Sequence, residues 1–429
     1  MLLLIMFVAM VAMILINVPI AVALAIAAVI GIGSQGLDGL TSIAIEMFRG
    51  ATSFSLIAIP MFVLAGAIMN AGGISRRLIA FVSALIGFVR GGLAMVNIGV
   101  SLIFAEISGS AVADVAAMGS VMIPEMKRKG YSKEFAAAVT SSSASLAIII
   151  PPSIPMILYA ISAGTSVEQL FIAGFIPGLI GGGGMMLVAY IFARRYNFPV
   201  EEAFALSNVK KTFVDAIPCL LLPVIILGGI FTGLATATEA AGLAVLASVL
   251  VALWYREFDF RLLKAAMLDG GMQTAVVMLL VAASILMGDY LTVARVPQEL
   301  ALWITSVSSN QYVILFMLNI FFLVLGFFLH SAAAIILVVP IIVPLIQTVG
   351  IDPVHFGLVL TLNLAIGQQT PPVASVLITA CSIARSDVWE TSKVNLAFIG
   401  VLLFVLFLCT YVPAIPMFLV DYFYPNRVI

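Results

Sequence analysis

The sequence predicts an all-α polytopic membrane protein made of two repeats in opposite orientation. Three observations lead there. Of 429 residues, 63% are hydrophobic and only 9% are charged, whereas soluble domains carry about 25% charged residues. No soluble fold could cover so much apolar surface. The apolar stretches are long uncharged runs without alternation at every second residue, which indicates helices and not a β-barrel. Finally, Pro124, Gly130, Pro151 and Pro152 are matched by Pro344, Gly350, Pro371 and Pro372, each 220 residues later. Glycine and proline set backbone geometry, so four matches without a gap mark a duplicated element. The two copies run from Glu106 to Ser153 and from Gly326 to Val373.

Composition also excludes functions. A net charge of −1 gives no nucleic-acid footprint. Cys219, Cys381 and Cys409 stand in apolar runs without metal-ligand spacing and read as inert. The first apolar run lacks a basic leader, so it reads as a permanent membrane helix and not a cleaved signal.

In chain order, an apolar run over residues 1–16 is interrupted by Asn17 and Pro19, and a second reaches Gly33. Residues 36–53, around Glu46 and Arg49, read as a helix lying at the interface. A span over 54–70 ends at Gly72 and Gly73, and 76–90 forms an amphipathic arm. The first copy of the duplicated element follows, then a span over 171–192. Residues 194–211 are the most polar stretch and mark the boundary between halves. The second half repeats the order: spans at 214–233 and 238–255, an interfacial segment at 256–272, a span at 273–288 and an arm at 290–309. The second copy and a final span over 394–412 complete it.

An odd number of full spans in the first half turns the second half upside down. With the loop at 127–133 in the cytoplasm, sixteen of the 19 basic residues fall inside, and only Arg49, Arg295 and Arg427 fall outside. That agrees with the positive-inside rule and puts the N-terminus outside.

Within a bilayer, irregular backbone survives only where protein or a wet cavity satisfies it. Proline has no N–H for the carbonyl four residues back, so a mid-membrane Pro-Pro pair unwinds a helix and releases carbonyls. Carbonyls with Ser and Thr hydroxyls form an oxygen cage suited to a small hard cation, and a nearby half-helix N-terminus offers N–H groups to an anion. A single proline would be an ordinary kink. Two Pro-Pro sites at one repeat position, each with a Ser- or Gly-containing tip (Ile107–Ala111 and Gly326–Ala332), point to a transporter's binding site. No Lys or Arg falls near mid-membrane in this arrangement, so a carboxylate substrate would need helix ends, hydroxyls and co-bound cations.

Glu106 and Asp114 flank the first tip and read either as a proton or cation site or as acids satisfied by the tip's N–H groups. Glu239 reads as a helix-start acid with Thr236 or Thr238 as cap. His330 could line the site, and His355 reads as interfacial. Gly181–Gly184 lie inside an apolar span and read as close helix packing. No nucleophile–base constellation or organic-cofactor motif is present, so the chain does not read as an enzyme.

Three separated motifs in order resemble the large membrane subunit of TRAP (tripartite ATP-independent periplasmic) transporters. They are Gly109–Ala160, Gly228–Ala241 and Asn363–Ala384. The resemblance spans essentially the whole chain. It implies a secondary transporter of small organic acids, such as C4-dicarboxylates or sialic acids, driven by Na⁺ in the bacterial inner membrane. It also implies a periplasmic substrate-binding protein and a small four-helix membrane subunit, here expected as a separate polypeptide. A stand-alone carboxylate or ion exchanger of the same architecture is the alternative. The family fold has a scaffold and a mobile transport domain with two re-entrant helical hairpins and two broken helices, moving as an elevator.

Carried over, the first sodium site would use Ser108 or Ser110 with backbone oxygens around Ala147, Ile150 and Pro152. The second would use Gly326, Gly367, Thr370 and Val373. Substrate would sit near Ser108, Gly109, Ser110, Ser153, Ser331 and Thr370. Scaffold and arm would then comprise 1–90 and 214–310, the transport domain 91–192 and 311–412, the cytoplasmic linker 193–213 and the C-terminal tail 413–429.

Overall fold

The computed structural model describes residues 2–16, 18–35, 42–200, 204–257, 260–308, 310–425 and 427. The first half begins with α1 (Leu2–Leu15), α2 (Ile20–Gln35) and α3 (Ser42–Ala51), the last being the predicted interfacial helix. A 3-10 turn at Phe54–Ile57 leads into α4 (Ala58–Ala71), and the arm is α5 (Ile74–Ile86). Gly73 starts α5 in the left-handed region (φ +68°), which only glycine adopts cheaply.

The duplication extends beyond the matched stretches to five helices in each half. In the first half they are α6 (Gly92–Ser108), α7 (Ala111–Arg128), α8 (Lys133–Ala144), α9 (Ile154–Ala163) and α10 (Val167–Arg195). Next come α11 (Leu206–Phe231), α12 (Ala237–Trp254), α13 (Phe260–Val293) and α14 (Val296–Val307). The second set is α15 (Gln311–Phe328), α16 (Ser331–Val349), α17 (Pro353–Gly367), α18 (Ser375–Ala384) and α19 (Val388–Tyr411), followed by α20 (Ala414–Phe423). Every helix start in the second set lies within one residue of its counterpart plus 220. Among the described residues there is no strand, and eight helices are long and apolar enough to cross a bilayer.

Three expectations change. The segments at 256–272 and 273–288 are one helix, α13. Gly270 and Gly271 do not break it, because a helix tolerates isolated glycines at a cost of about 1 kcal/mol each. The polar linker shortens, since α10 runs on to Arg195 and α11 starts at Leu206. The C-terminal tail contains α20, which buries Pro416, Met417 and Val420 and lies along α10.

Contacts between helix ends sort into two layers. In one, Arg77 of the arm bonds Glu257 (2.9 Å), faces Asp215 (3.7 Å) and stacks on the Tyr255 ring (3.7 Å). The guanidinium holds the Glu257 carboxyl below its usual range. Gly91 bonds Pro199, and Lys127 bonds the Ala384 carbonyl, in the same layer. In the other layer Ala237 bonds Glu168, Thr238 bonds Phe54, Gln311 bonds Val349 and Arg427 pairs with Asp352. The hairpin α6–α7 therefore opens toward the first layer and α15–α16 toward the second.

The repeats interlock. The second arm of each hairpin packs on the broken helix of its own repeat and on the later half-helix of the other, α7 against α8 and α18, α16 against α17 and α9. Helix α13 crosses α16 where Gly288 faces Pro340. There the Ser284 hydroxyl donates to the Ile336 carbonyl, whose helical partner would have been the N–H that Pro340 lacks.

Candidate functional site

Both Pro-Pro pairs interrupt a helix. Between α8 and α9 a single 3-10 turn (Ser145–Ile148) runs into Ile149–Ser153, and between α17 and α18 the break spans 368–374. Both Pro–Pro peptide bonds are cis. Helices α9 and α18 have ten residues each, or about 15 Å, half of a hydrocarbon layer of about 30 Å.

At the first break, Pro151 has no N–H for the Ala147 carbonyl and Pro152 none for Ile148. Ser153, fully buried, replaces the latter by donating to the Ile148 carbonyl (2.6 Å), and its oxygen caps α9 at Met156 N–H (3.4 Å). The predicted substrate ligand Ser153 therefore also staples the break. The tip of the first hairpin rests here. Gly109 adopts φ +59° and its carbonyl accepts from Ile154 N–H (3.3 Å). A side chain at Gly109 would come within 2.9 Å of the Pro152 carbonyl. Ser110 is the N-cap of α7, accepting from Ala113 N–H (3.5 Å). Ala147 and Ile150 are buried in the first break. The side chains of Glu106 and Ser108 lie outside the described residues. Asp114 is buried in the first turn of α7, facing the positive end of that helix.

At the second break, Pro371 has no N–H for Gly367 and Pro372 none for Gln368. Thr370 N–H bonds the Gly367 carbonyl (3.0 Å) and Val376 N–H the Gln368 carbonyl (3.3 Å), while the Thr370 hydroxyl donates to Ile366 (3.0 Å). The tip of the second hairpin rests on this break. Val373 N–H bonds the Phe327 carbonyl (3.3 Å), and Gly326 and Gly367 meet backbone to backbone. A Cβ on Gly367 would come within 2.5 Å of Gly326 Cα. Ser331, the first residue of α16, is buried, and His330 is its N-cap. Thr370 is half-buried and Val373 exposed.

The structure thus joins Gly109 with Pro152 and Ile154, and Gly326 with Gly367, one hairpin tip on one break in each repeat. The donors gathered at each break are carbonyls and hydroxyls. No cluster of three His, Cys, Asp or Glu occurs among the described residues. Such oxygen sets suit hard cations.

Of the remaining expectations, one changes and two hold. His355 is buried and bonds the Cys409 carbonyl (2.6 Å), because the N-terminus of α17 tucks against α19. Thr236 and Glu239 form a capping box. The glycines of α10 are packing surfaces, since an added Cβ at Gly182 or Gly184 would meet Leu102 (2.7 Å) or Val401 (2.6 Å). The Gly182 face continues through Gly178 to Gly174, where an added Cβ would lie 1.9 Å from the Ile149 carbonyl of the first break. Sequence reasoning passed over Gln369, Ser141, Ser142 and Asn395, which are fully buried and bonded to one another. Their only sequence signal is polarity inside apolar runs.

The fold resembles that of a solved transporter. The YdaH transporter of Alcanivorax borkumensis superposes with a TM-score of 0.63 over 87% of this chain and 88% of that one, at 13% identity, a likeness of fold alone. The C4-dicarboxylate TRAP transporter large permease protein DctM of Pseudomonas aeruginosa is 39% identical over 381 residues, 89% of each chain. The isethionate TRAP transporter permease protein DctMQ of Oleidesulfovibrio alaskensis is 38% identical over 411 residues, 94% of this chain and 64% of that longer one. The family described as "Tripartite ATP-independent periplasmic transporter, DctM component" matches residues 7–415. With duplicated hairpins, duplicated breaks and these relatives in agreement, the chain belongs to the DctM family, the large membrane component of the tripartite ATP-independent periplasmic transporters.

Proposed function

We propose that this chain is the membrane pathway of a Na⁺-coupled importer of small organic acids, working with a small four-helix membrane subunit and a periplasmic substrate-binding protein. The observation that carries this reading is the doubled junction of a hairpin tip on a helix break. Each junction gathers backbone and hydroxyl oxygens, and neither the tips nor the breaks contain a Lys or Arg. Na⁺ held at Ser108 or Ser110 with Ala147, Ile150 and Pro152, and at Gly326, Gly367, Thr370 and Val373, would supply the positive charge that a carboxylate between the tips needs. The DctM and DctMQ relatives carry C4-dicarboxylate and isethionate in their names, both small organic anions.

Each tip meets its break and does not reach the far layer, which supports re-entrant hairpins. The basic residues gather in the layer holding Arg77 and Lys127, which supports a cytoplasmic assignment for that layer and a periplasmic N-terminus in the inner membrane. The two interlocked hairpins and broken helices would then move together against the scaffold as an elevator.

The deciding experiment is uptake into proteoliposomes containing this chain and its small partner, with an imposed Na⁺ gradient and a panel of labelled organic acids, with and without binding protein. Uptake that requires both Na⁺ and binding protein is expected. Uptake indifferent to the binding protein would replace this reading with a stand-alone exchanger, and uptake without Na⁺ dependence would end the coupling claim.

A further inference from the structure

A buried polar network joins the second break to α8, the helix that leads into the first. Gln369 donates from Nε2 to the Ser141 carbonyl (2.8 Å) and accepts the Ser141 hydroxyl at Oε1. Asn395 of α19 donates to the same Oε1 (3.2 Å) and to the backbone carbonyl of Gln369 (3.4 Å), and its Oδ1 accepts from Ser142. All four residues have zero exposure. Buried amides of this kind hold one geometry, because any displacement leaves a desolvated polar group unpaired.

The network is peculiar to the second repeat. Position 149, which corresponds to 369, is Ile149, and Asn395, counted from the starts of α19 and α10, corresponds to Gly174. The first break is instead supported by close approach of α10 at Gly174. Only the second break therefore reaches into the other repeat through side chains of this network. Gln369 lies between Gly367 and Thr370, whose oxygens belong to the proposed second cation site. Ser141 lies on α8, six residues before Ala147 of the proposed first site. A shift of the second break moves Gln369, and with it the helix that carries the first.

We propose that Gln369 is a positioning residue that couples the two breaks, so that an ion taken up at one raises affinity at the other. This rests on the Na⁺ reading above. It is tested by equilibrium binding of radiolabelled Na⁺ to the purified full chain in detergent, without organic acid, at constant ionic strength in choline chloride. The wild-type chain is expected to bind two ions with a Hill coefficient clearly above one. Gln369→Met, of similar size but without hydrogen bonds, is expected to keep the capacity while the Hill coefficient falls to about one, with half-saturation raised about threefold to tenfold. Ser141→Ala removes one hydroxyl and is expected to shift both values the same way by less. Its effect should be non-additive with Gln369→Met.

An unchanged Hill coefficient in Gln369→Met, a halved capacity, or a non-cooperative wild type would each overturn the coupling. If the wild type binds no Na⁺, the underlying Na⁺ reading fails instead. Thermal unfolding in choline chloride establishes that each variant is folded, and if Gln369→Met is not, Ser141→Ala decides by the same criterion.

Discussion

At Gly367 and Gly326 two main chains touch, and Gly367 has no room for a methyl group. Gly367→Ala should force the second hairpin tip off its break. Overpacking of this kind costs about 1–3 kcal/mol, and here it falls on backbone that cannot rotate away. Its expected outcome is a folded protein with lowered thermal stability and uptake reduced at least tenfold, measured side by side with Gly183→Ala, where an added Cβ meets nothing within 4 Å. Thr370 contributes a hydroxyl whose proton is committed to the Ile366 carbonyl, leaving its lone pairs for a cation. Thr370→Val removes that oxygen at nearly constant volume. Loss of one such contact is worth about 1 kcal/mol, so the Na⁺ concentration for half-maximal uptake should rise about fivefold. Unchanged Na⁺ activation would remove Thr370 from the site.

Two features at the scale of the element set the geometry of the breaks. Pro371 and Pro372 withhold two amides from the carbonyls of Gly367 and Gln368. Replacing both with alanine should let α17 and α18 join, closing the cage and abolishing transport while leaving the protein folded. Full transport by the double variant would sink the broken-helix account. The other feature is the arm α5, which Arg77 ties to α11 and α12 through Asp215, Glu257 and the face of Tyr255. Arg77 is only 14% exposed, so the pairs are less screened than at a free surface, and Arg77→Ala should cost about 1–3 kcal/mol, read as a lower midpoint of thermal unfolding. Glu257 has a lowered pKa, so its contribution is present above its ordinary carboxylate range and is lost as pH falls through the depressed value. The stability gap between wild type and Arg77→Ala should therefore narrow in strongly acidic buffer.

For the whole molecule, the two layers of helix ends make a topology prediction. In a background with Cys219, Cys381 and Cys409 replaced by alanine, Thr348→Cys should react with a membrane-impermeant maleimide in intact spheroplasts. Arg128→Cys should react only after permeabilisation. Both positions are exposed. Equal labelling of the two from one side would overturn the opposed hairpins. The interlocking of the repeats has a mechanical consequence as well. Because α7 lies against α18 and α16 against α9, neither hairpin can travel without carrying part of the other repeat, as a single moving body requires.

Much of this was legible in the amino-acid order because it depends on backbone chemistry that a sequence states directly. Proline lacks an N–H wherever it occurs, so the two breaks, the duplication at 220 residues and the helical membrane class follow from residue types and spacing alone. Basic loops likewise set an expectation of sidedness, since charge resists the bilayer whatever the packing. What only the tertiary structure decided is which surfaces meet. That Gly367 faces Gly326, that Gly174 clears the Ile149 carbonyl, that His355 is buried against α19, and that Gln369 reaches Ser141 across 228 positions all depend on long-range contacts. A polar residue in an apolar run shows that a partner is needed. Which partner it finds is fixed only when the two repeats fold into each other, because hydrogen bonds and close packing act over a few ångströms of space and not along the chain.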